Sequence, residues 1–590
     1  MAATFVTRHT GRTLRRHCMN LPRIVIAGLS GGSGKTLVSL GVVRALARSG
    51  LAIKPCKKGP DYIDAWWLAL AAGHPATNLD PYFLDADRLR SLFWTRCGLA
   101  GEGSTRDAAL ARVRHGQTGL PGPAAAPPCP ARPAHPARLA CLADQPGPFD
   151  MAVIEGNRGL FDGRDLSGSC STAELARILG APVVVVMDCT KMTRTAAAIV
   201  SGLRHFEQGV HIAGVILNRT AGPRHRSVLR ETIEHYTDVP VLGVLPKIAA
   251  NPIPERHMGL VSGMEHEECV AGLDKVADIM AEHVDLHRLR QVACAAPPPQ
   301  GPVADLWSLL PGAETTALDD AEQRDGGQCD VVPGDVVPGD ATLAGTAPDG
   351  TAPHATAPVP PRIGYVHDAA LWFYYEENLL ALRHAGAELV RLSLLDGADW
   401  PQLDGLYLGG GFPETLAARL SANRPALDRL RGLSESGLPI YAECGGFMVL
   451  GRSIVMDGTE HPMADIFPVR TVFHAKPQGL GYVDAATVLE NPFHPVGTTF
   501  RGHEFHYSRC VPCDAAAGTP APLAVPSALR LTAQSGHVTG MGDGRDGLLL
   551  RNTMAAYTHI FAPAVPHWAP AMVRAARAFR SGRPPSSSAI

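Results

Sequence analysis

No apolar run in this 590-residue chain approaches the roughly 20 residues that a membrane-crossing helix needs, so a transmembrane protein is not expected. An excess of either charge is also lacking. Lys and Arg number 54 against 56 Asp and Glu, a net charge of -2, and nothing in that balance points to nucleic acid or a membrane surface as a partner. Close cysteine pairs are scarce: thirteen cysteines are scattered along the chain and only Cys510 and Cys513 form a CxxC. One such pair without a second is weak support for zinc, and reduced thiols in a cytoplasmic protein are expected. The first twenty residues carry Arg8, Arg12, Arg15 and Arg16 but no apolar core, so they do not form a secretory signal. They read as a disordered tail over 1–20, or as sequence ahead of a start at Met19. Apolar residues make up 45% of the chain, which at this length implies a globular protein of more than one domain.

Two stretches have too little apolar surface to offset the entropy of ordering them. Residues 101–148 ("GLPGPAAAPPCPARPAHPARLA" among them) read as an insertion inside a domain, and 293–361, with the tandem "VVPGDVVPGD", as a linker. Around them, short β-branched runs alternate with segments of helical spacing: "RIVIAG", "MAVIEG", "APVVVVMD" and "HIAGVILN", and later "PRIGYVHD", "LDGLYLGGG" and "LPIYAECGG". Continuous apolar strands separated by amphipathic helices predict α/β domains built on parallel sheets. The expected organisation is one such domain over 21–292, a floppy tether over 293–361, a second domain over 362–568 and a tail over 569–590.

Ligands of parallel α/β sheets bind at the carboxyl ends of strands. At the first of these ends stands Gly28-Leu29-Ser30-Gly31-Gly32-Ser33-Gly34-Lys35-Thr36, followed by a helix pattern. Glycines let backbone N–H groups curl around phosphates, Lys35 can reach the terminal phosphates, and the Thr36 hydroxyl can ligate Mg²⁺. Leu29 stands where the strict P-loop pattern has its first Gly, so the loop is a variant. Glu155, ending "MAVIE", supplies a carboxylate for the same cation. Asp61 and Asp64 in "KKGPDYID" and Asp162 in "GLFDG" are further candidates, each equally readable as a solvated turn.

In "YAECGGFMVLG" the thiol of Cys444 falls where a buried strand turns into a helix, with Gly445 and Gly446 leaving room for the turn. That is the layout of a nucleophile elbow. His559, in "MAAYTHIFA", is the expected base, and Gly409, Gly410 and Gly411 offer backbone donors for an oxyanion. His503 and His506 in "RGHEFHYS" are rivals, read as substrate-side or structural because their spacing is one residue short of a zinc-protease HExxH.

"CGGFMVLG" with "GGGFPE" and a late "YTHI" resembles a class I glutamine amidotransferase domain of the cobyrinic acid synthase type. "GLSGGSGKT", "KKGPDYIDAWW", "NLDPYFL" and "VIEGNRGLFDG" resemble the amidoligase half of the cobyrinic acid a,c-diamide synthase family, whose P-loop domain is similar to dethiobiotin synthetase. The resemblance covers most of residues 22–568 outside the two spacers. It implies two coupled reactions: glutamine hydrolysis at Cys444 and His559, with Gly410, Gly411 and Gly445 around the oxyanion, and ATP-driven amidation of the a and c carboxylates of cobyrinic acid or a related tetrapyrrole. It further implies ATP held by Ser30, Gly31, Gly32, Ser33, Gly34, Lys35 and Thr36, with Asn218 reading adenine and Mg²⁺ on Thr36 and Glu155. Asp61, Tyr62, Asp64 and Asp162 would shape the ATP and corrinoid loops, Arg158, Lys191 and Arg194 are candidates for the substrate's carboxylates, and a homodimer is compatible with the reading. Many class I amidotransferases carry a Glu two residues after the His, where this chain has Phe561, so a Cys/His dyad with a slackly oriented imidazole is expected. Two alternatives stand beside this one. The first is a nickel-sirohydrochlorin a,c-diamide synthase; the second is a ParA/MinD-like switch ATPase fused to an inactive amidotransferase domain, against which Ser30 counts, since such switches carry Lys there.

Overall fold

A computed structural model describes residues 20–100, 149–248, 253, 263–299, 303–310, 359–513, 525–533 and 540–582. The expected insertion 101–148, nearly all of the expected N-terminal tail and most of the expected linker lie outside the described residues.

The N-terminal domain is a seven-stranded parallel sheet. Its strands are β1 (Arg23–Gly28), β2 (Ile53–Lys58), β3 (Thr77–Leu79), β4 (Met151–Gly159), β5 (Val183–Asp188), β6 (Ile212–Thr220) and β7 (Val241–Pro246), in the spatial order β3-β2-β4-β1-β5-β6-β7. β1 and β2 are buried along their whole length, as a sheet covered on both faces requires. One apolar cluster gathers Val25, Ile154, Val185 and Leu217 on one face; the other gathers Ile24, Ile26, Val184 and Ile216 on the opposite face. Chain order reverses on either side of β1, and the loop from β1 into helix α1 (Lys35–Arg48) opens there, the place where doubly wound sheets bind ligands.

The C-terminal domain has a ten-stranded mixed sheet. Glu388–Leu392, Arg362–Val366, Gly405–Leu408, Ile440–Glu443 and Thr553–Ala556 run parallel in that order. Arg545–Leu550, Ser527–Ala533, Gly479–Thr487, Thr499–His506 and His559–Ile560 continue it as antiparallel neighbours. The last pairing sets His503 directly opposite His559.

Three sequence expectations change here. The tail expected over 569–590 begins with a helix, Trp568–Arg580, whose Trp568, Met572, Val573 and Ala576 are buried in the domain core, so the ordered domain reaches Arg580. Within the expected linker, Leu306–Leu309 forms a helical turn. There the Leu306 N–H donates to Thr95 Oγ1 (2.8 Å), Leu306 is fully buried, and the Trp307 ring stacks on His384 at 4.4 Å.

The domains are also not merely tethered. Tyr375 and Phe561 of the second domain belong to the apolar core of the first. Tyr482 Oη donates to Asp80 (2.7 Å), Arg501 to the Tyr82 carbonyl (2.6 Å) and Tyr375 Oη to the Pro60 carbonyl (3.0 Å). Arg96 pairs with the fully buried Glu377 at 3.2 Å. Alternating strands and helices announce each domain separately; complementarity between the two surfaces is set by residues far apart in the chain. No helix among the described residues is long and apolar enough to cross a membrane.

Candidate active site

Helix α1 begins at Lys35, after Gly34 with φ 86°, a left-handed conformation that glycine adopts without strain. Gly34 must also be glycine for space, because a Cβ would stand 2.2 Å from Asn218 Nδ2. The loop is tied by Ser33, whose hydroxyl donates to the Ser30 carbonyl (2.8 Å) and accepts from the Ser30 N–H (3.0 Å). Gly31 and Gly32 lie exposed at its tip. Asn218, at the end of β6, donates to the Ser33 carbonyl (2.9 Å), so its amide braces the loop.

Glu155, fully buried on β4, gathers the cations beneath the loop. Its Oε1 accepts from Lys35 Nζ (2.9 Å), Thr36 Oγ1 (2.8 Å) and Lys57 Nζ (3.2 Å), while its Oε2 is buried with no partner. Burial opposes its charge, but Lys57 and Lys35 hold the carboxyl below its ordinary range. Lys57, 1% exposed, also pairs with Asp64 at 2.7 Å, so it joins two of the expected acids. In "KKGPDYID" it is one of two lysines, both buried on β2; its pairing with Glu155 and Asp64 is what singles it out. The other expected acids hold loops in shape. Asp61 caps helix α2 (Tyr62–Ala72) by accepting from the Asp64 N–H (2.9 Å), and Asp162 accepts from the Gly159 N–H (2.8 Å) beside the P-loop. Lys191 and Arg194 lie exposed at the end of β5, Arg194 over the ring of Tyr236. Arg158, also exposed, ends β4 with φ 51°.

At the second site Cys444 has φ 44° and ψ -98°, a strained backbone for a residue with a side chain, between strand Ile440–Glu443 and helix Gly445–Leu450. Its thiol is 2% exposed and lies 3.8 Å from the Phe505 carbonyl. Burial, and then Glu414, push the thiol well above its ordinary pKa. Gly410 and Gly411 crowd this elbow: a Cβ on Gly410 would stand 2.5 Å from His559 Cε1, and one on Gly445 would stand 2.8 Å from the Gly411 N. Only glycine fits at both positions, and the close approach brings the expected oxyanion residues and His559 together.

His559 is not slackly held. Its Nδ1 lies 3.2 Å from Glu443 Oε2, both groups being buried, and Glu443 Oε1 accepts from Tyr407 Oη (3.2 Å), which in turn accepts from Asn378 Nδ2 (3.1 Å). The expected slackness is corrected by the residue that immediately precedes the nucleophile. Strand alternation turns Glu443 inward, yet without the fold nothing links it to a histidine so much later in the chain. His503 stacks on His559 at 4.9 Å, and burial followed by His559 drives its pKa far down, leaving it neutral. His506 stacks on Tyr557 at 3.7 Å and contacts the Ser508 carbonyl through Nδ1.

Tyr62, at the start of α2, joins the two sites. Its half-buried ring lies parallel to Phe373 (5.0 Å) and against Tyr375 (4.4 Å), 5.3 Å from the ring of His559. In the first turn of the same helix, Asp64 holds Lys57 and, through it, Glu155.

Residues 24–261 match the CobQ/CobB/MinD/ParA nucleotide binding domain, and residues 362–565 the CobB/CobQ-like glutamine amidotransferase domain. The chain is 35% identical over 554 residues to the cobyrinate a,c-diamide synthase of Magnetococcus marinus, covering 94% of this chain and 97% of that protein. With proteins of the same name it is 34% identical in Listeria innocua (82% and 87% covered) and 32% identical in Dehalococcoides mccartyi strain CBDB1 (95% and 99% covered). Similarity at this level runs nearly end to end through both domains: the chain belongs to the cobyrinate a,c-diamide synthase family of glutamine-dependent amidoligases.

Proposed function

We propose that this enzyme amidates the a and c carboxylates of cobyrinic acid in cobalamin biosynthesis, using ATP and ammonia released from glutamine. The observation that carries the coupling is the Tyr62 stack, which sets an element of the nucleotide domain against the histidine of the glutaminase site.

A carboxylate is a poor electrophile and must be activated. In the proposed first step a substrate carboxylate oxygen attacks the γ-phosphorus of ATP, the bond to the bridging oxygen breaks, and ADP leaves an acyl phosphate. Lys35 and the loop N–H groups would stabilise the charge in transfer. Thr36 and Glu155, the latter with its unpartnered Oε2, would hold a Mg²⁺ ion. When bound, that ion would neutralise phosphate charge. Lys57, paired with Glu155 and Asp64, would keep Glu155 neutralised when nucleotide draws Lys35 away.

In the second domain His559 takes the thiol proton, Cys444 attacks the amide carbon of glutamine, and the Gly411 and Gly445 N–H groups face the oxyanion. Collapse releases ammonia and a thioester, which water hydrolyses to glutamate. Glu443, accepting from the Nδ1 side, fixes the tautomer that leaves Nε2 free for this work. Ammonia then attacks the acyl phosphate and phosphate departs.

The test is incubation with ATP, glutamine and a panel of tetrapyrroles, with amide additions counted by mass spectrometry. Two additions on cobyrinic acid are expected. Turnover of nickel-sirohydrochlorin with no change in any corrinoid would overturn the assignment.

A further inference from the structure

Glu414 is a carboxylate for which the chemistry above has no use. It stands three residues after Gly411, on the helical turn Pro413–Leu416, and is 6% exposed. Its own backbone N–H accounts for one interaction, and its Oε2 is buried with no hydrogen-bond partner. Among the described residues no Lys, Arg or His pairs with it. Its place is beside the nucleophile: a Cβ on Gly445 would stand 3.1 Å from Pro413 Cδ, so the residue before Glu414 presses on the residue after Cys444. Of the charged groups acting on the Cys444 thiol, Glu414 has the largest influence.

A buried carboxylate without a partner is costly, and burial holds this one up at about 8. Such a group persists at a substrate site when the substrate supplies what is missing. Here the missing partner is a cation, and glutamine brings one: its α-carbon lies three bonds from the amide carbon that must meet Cys444. We infer that Glu414 recognises the α-ammonium group of glutamine, an assignment that rests on the glutaminase reading of the Cys444 site. The pairing has a second consequence. A bound ammonium draws the proton off Glu414, so a carboxyl that burial keeps largely protonated at neutral pH becomes the charged partner of the substrate.

The experiment compares hydrolysis of glutamine with that of glutaramate, the same amide without the α-amino group, by the full-length wild-type enzyme and by Glu414→Gln and Glu414→Asp. Wild type should prefer glutamine by on the order of 10²-fold or more in kcat/KM, the loss typical of removing one partner of a buried charge pair. Glu414→Gln should erase most of that preference, chiefly through KM for glutamine and with little change for glutaramate, while Glu414→Asp restores part of it. Amidation driven by added ammonia should be unchanged in both variants, which also reports that they are folded. Equal use of the two amides by wild type would overturn the assignment whatever the variants do, and so would an equal loss of both amides in Glu414→Gln. A wild-type enzyme that hydrolyses no glutamine at all would instead overturn the glutaminase reading beneath it.

Discussion

Cys444 and Lys35 serve different reactions in the proposed scheme, and single substitutions should separate them. Cys444→Ala is expected to abolish glutamine-dependent amidation while ammonium salts still support product formation. Lys35→Ala removes a charge that stabilises phosphoryl transfer, so activity should fall on the order of 10²-fold or more with either nitrogen source. Loss of ammonia-dependent activity in a folded Cys444→Ala enzyme would show that the thiol acts in the ligase chemistry itself. Glu443→Gln makes a finer distinction. It keeps the size of the side chain but removes the charge that orients His559. The expected result is a drop in kcat for glutamine hydrolysis on the order of 10²-fold or more, with KM little altered and ammonia-driven amidation intact. A kcat near that of wild type would mean that the imidazole is oriented by its ring contacts alone.

Helix α2 is the element that connects the sites. Its first residue, Tyr62, lies among Phe373, Tyr375 and His559, and its first turn carries Asp64 against Lys57. In the proposed scheme, nucleotide that rearranges the cations around Glu155 would therefore act on a helix that also reaches His559. Tyr62→Ala should open a cavity in the aromatic stack and weaken this connection. The measurement is the ratio of glutamine hydrolysed to amides formed, expected to rise well above wild type, with ATP losing its effect on the hydrolysis rate. An unchanged ratio would remove Tyr62 from the coupling path.

Across the whole molecule, the domains are held by an interface that includes Arg96 and the fully buried Glu377. Burial raises the Glu377 carboxyl above its ordinary value of 4.5, and Arg96 works against that rise. Arg96→Ala leaves a buried acid short of its main partner and should cost about 3–5 kcal/mol at neutral pH, read as a lowered Tm in thermal unfolding. The sign of the pH effect follows from linkage. Without Arg96 the folded chain holds a proton on Glu377 at pH values where the unfolded chain has released it, so the destabilisation grows as pH rises above the ordinary Glu range. A Tm loss independent of pH would place the effect in packing instead.

The sequence alone determined the two α/β domains, the P-loop, the cysteine elbow and the distant histidine. Each is written in local terms: apolar periodicity, glycines where the backbone must turn tightly, and a nucleophile at a strand end. The boundary at Arg580 and the docked turn Leu306–Leu309 were not legible, because burial of Trp568 or Leu306 depends on what surface awaits it. The same holds inside the sites. "KKGPDYID" does not say which lysine points at Glu155, and "AECGG" does not say that its glutamate reaches a histidine on another strand. Those partnerships, the lone carboxylate of Glu414 and the meeting of Tyr62 with His559 were decided by tertiary structure. Charges and rings find partners through space, and only the folded sheets bring residues so far apart in the chain within a few ångströms of one another.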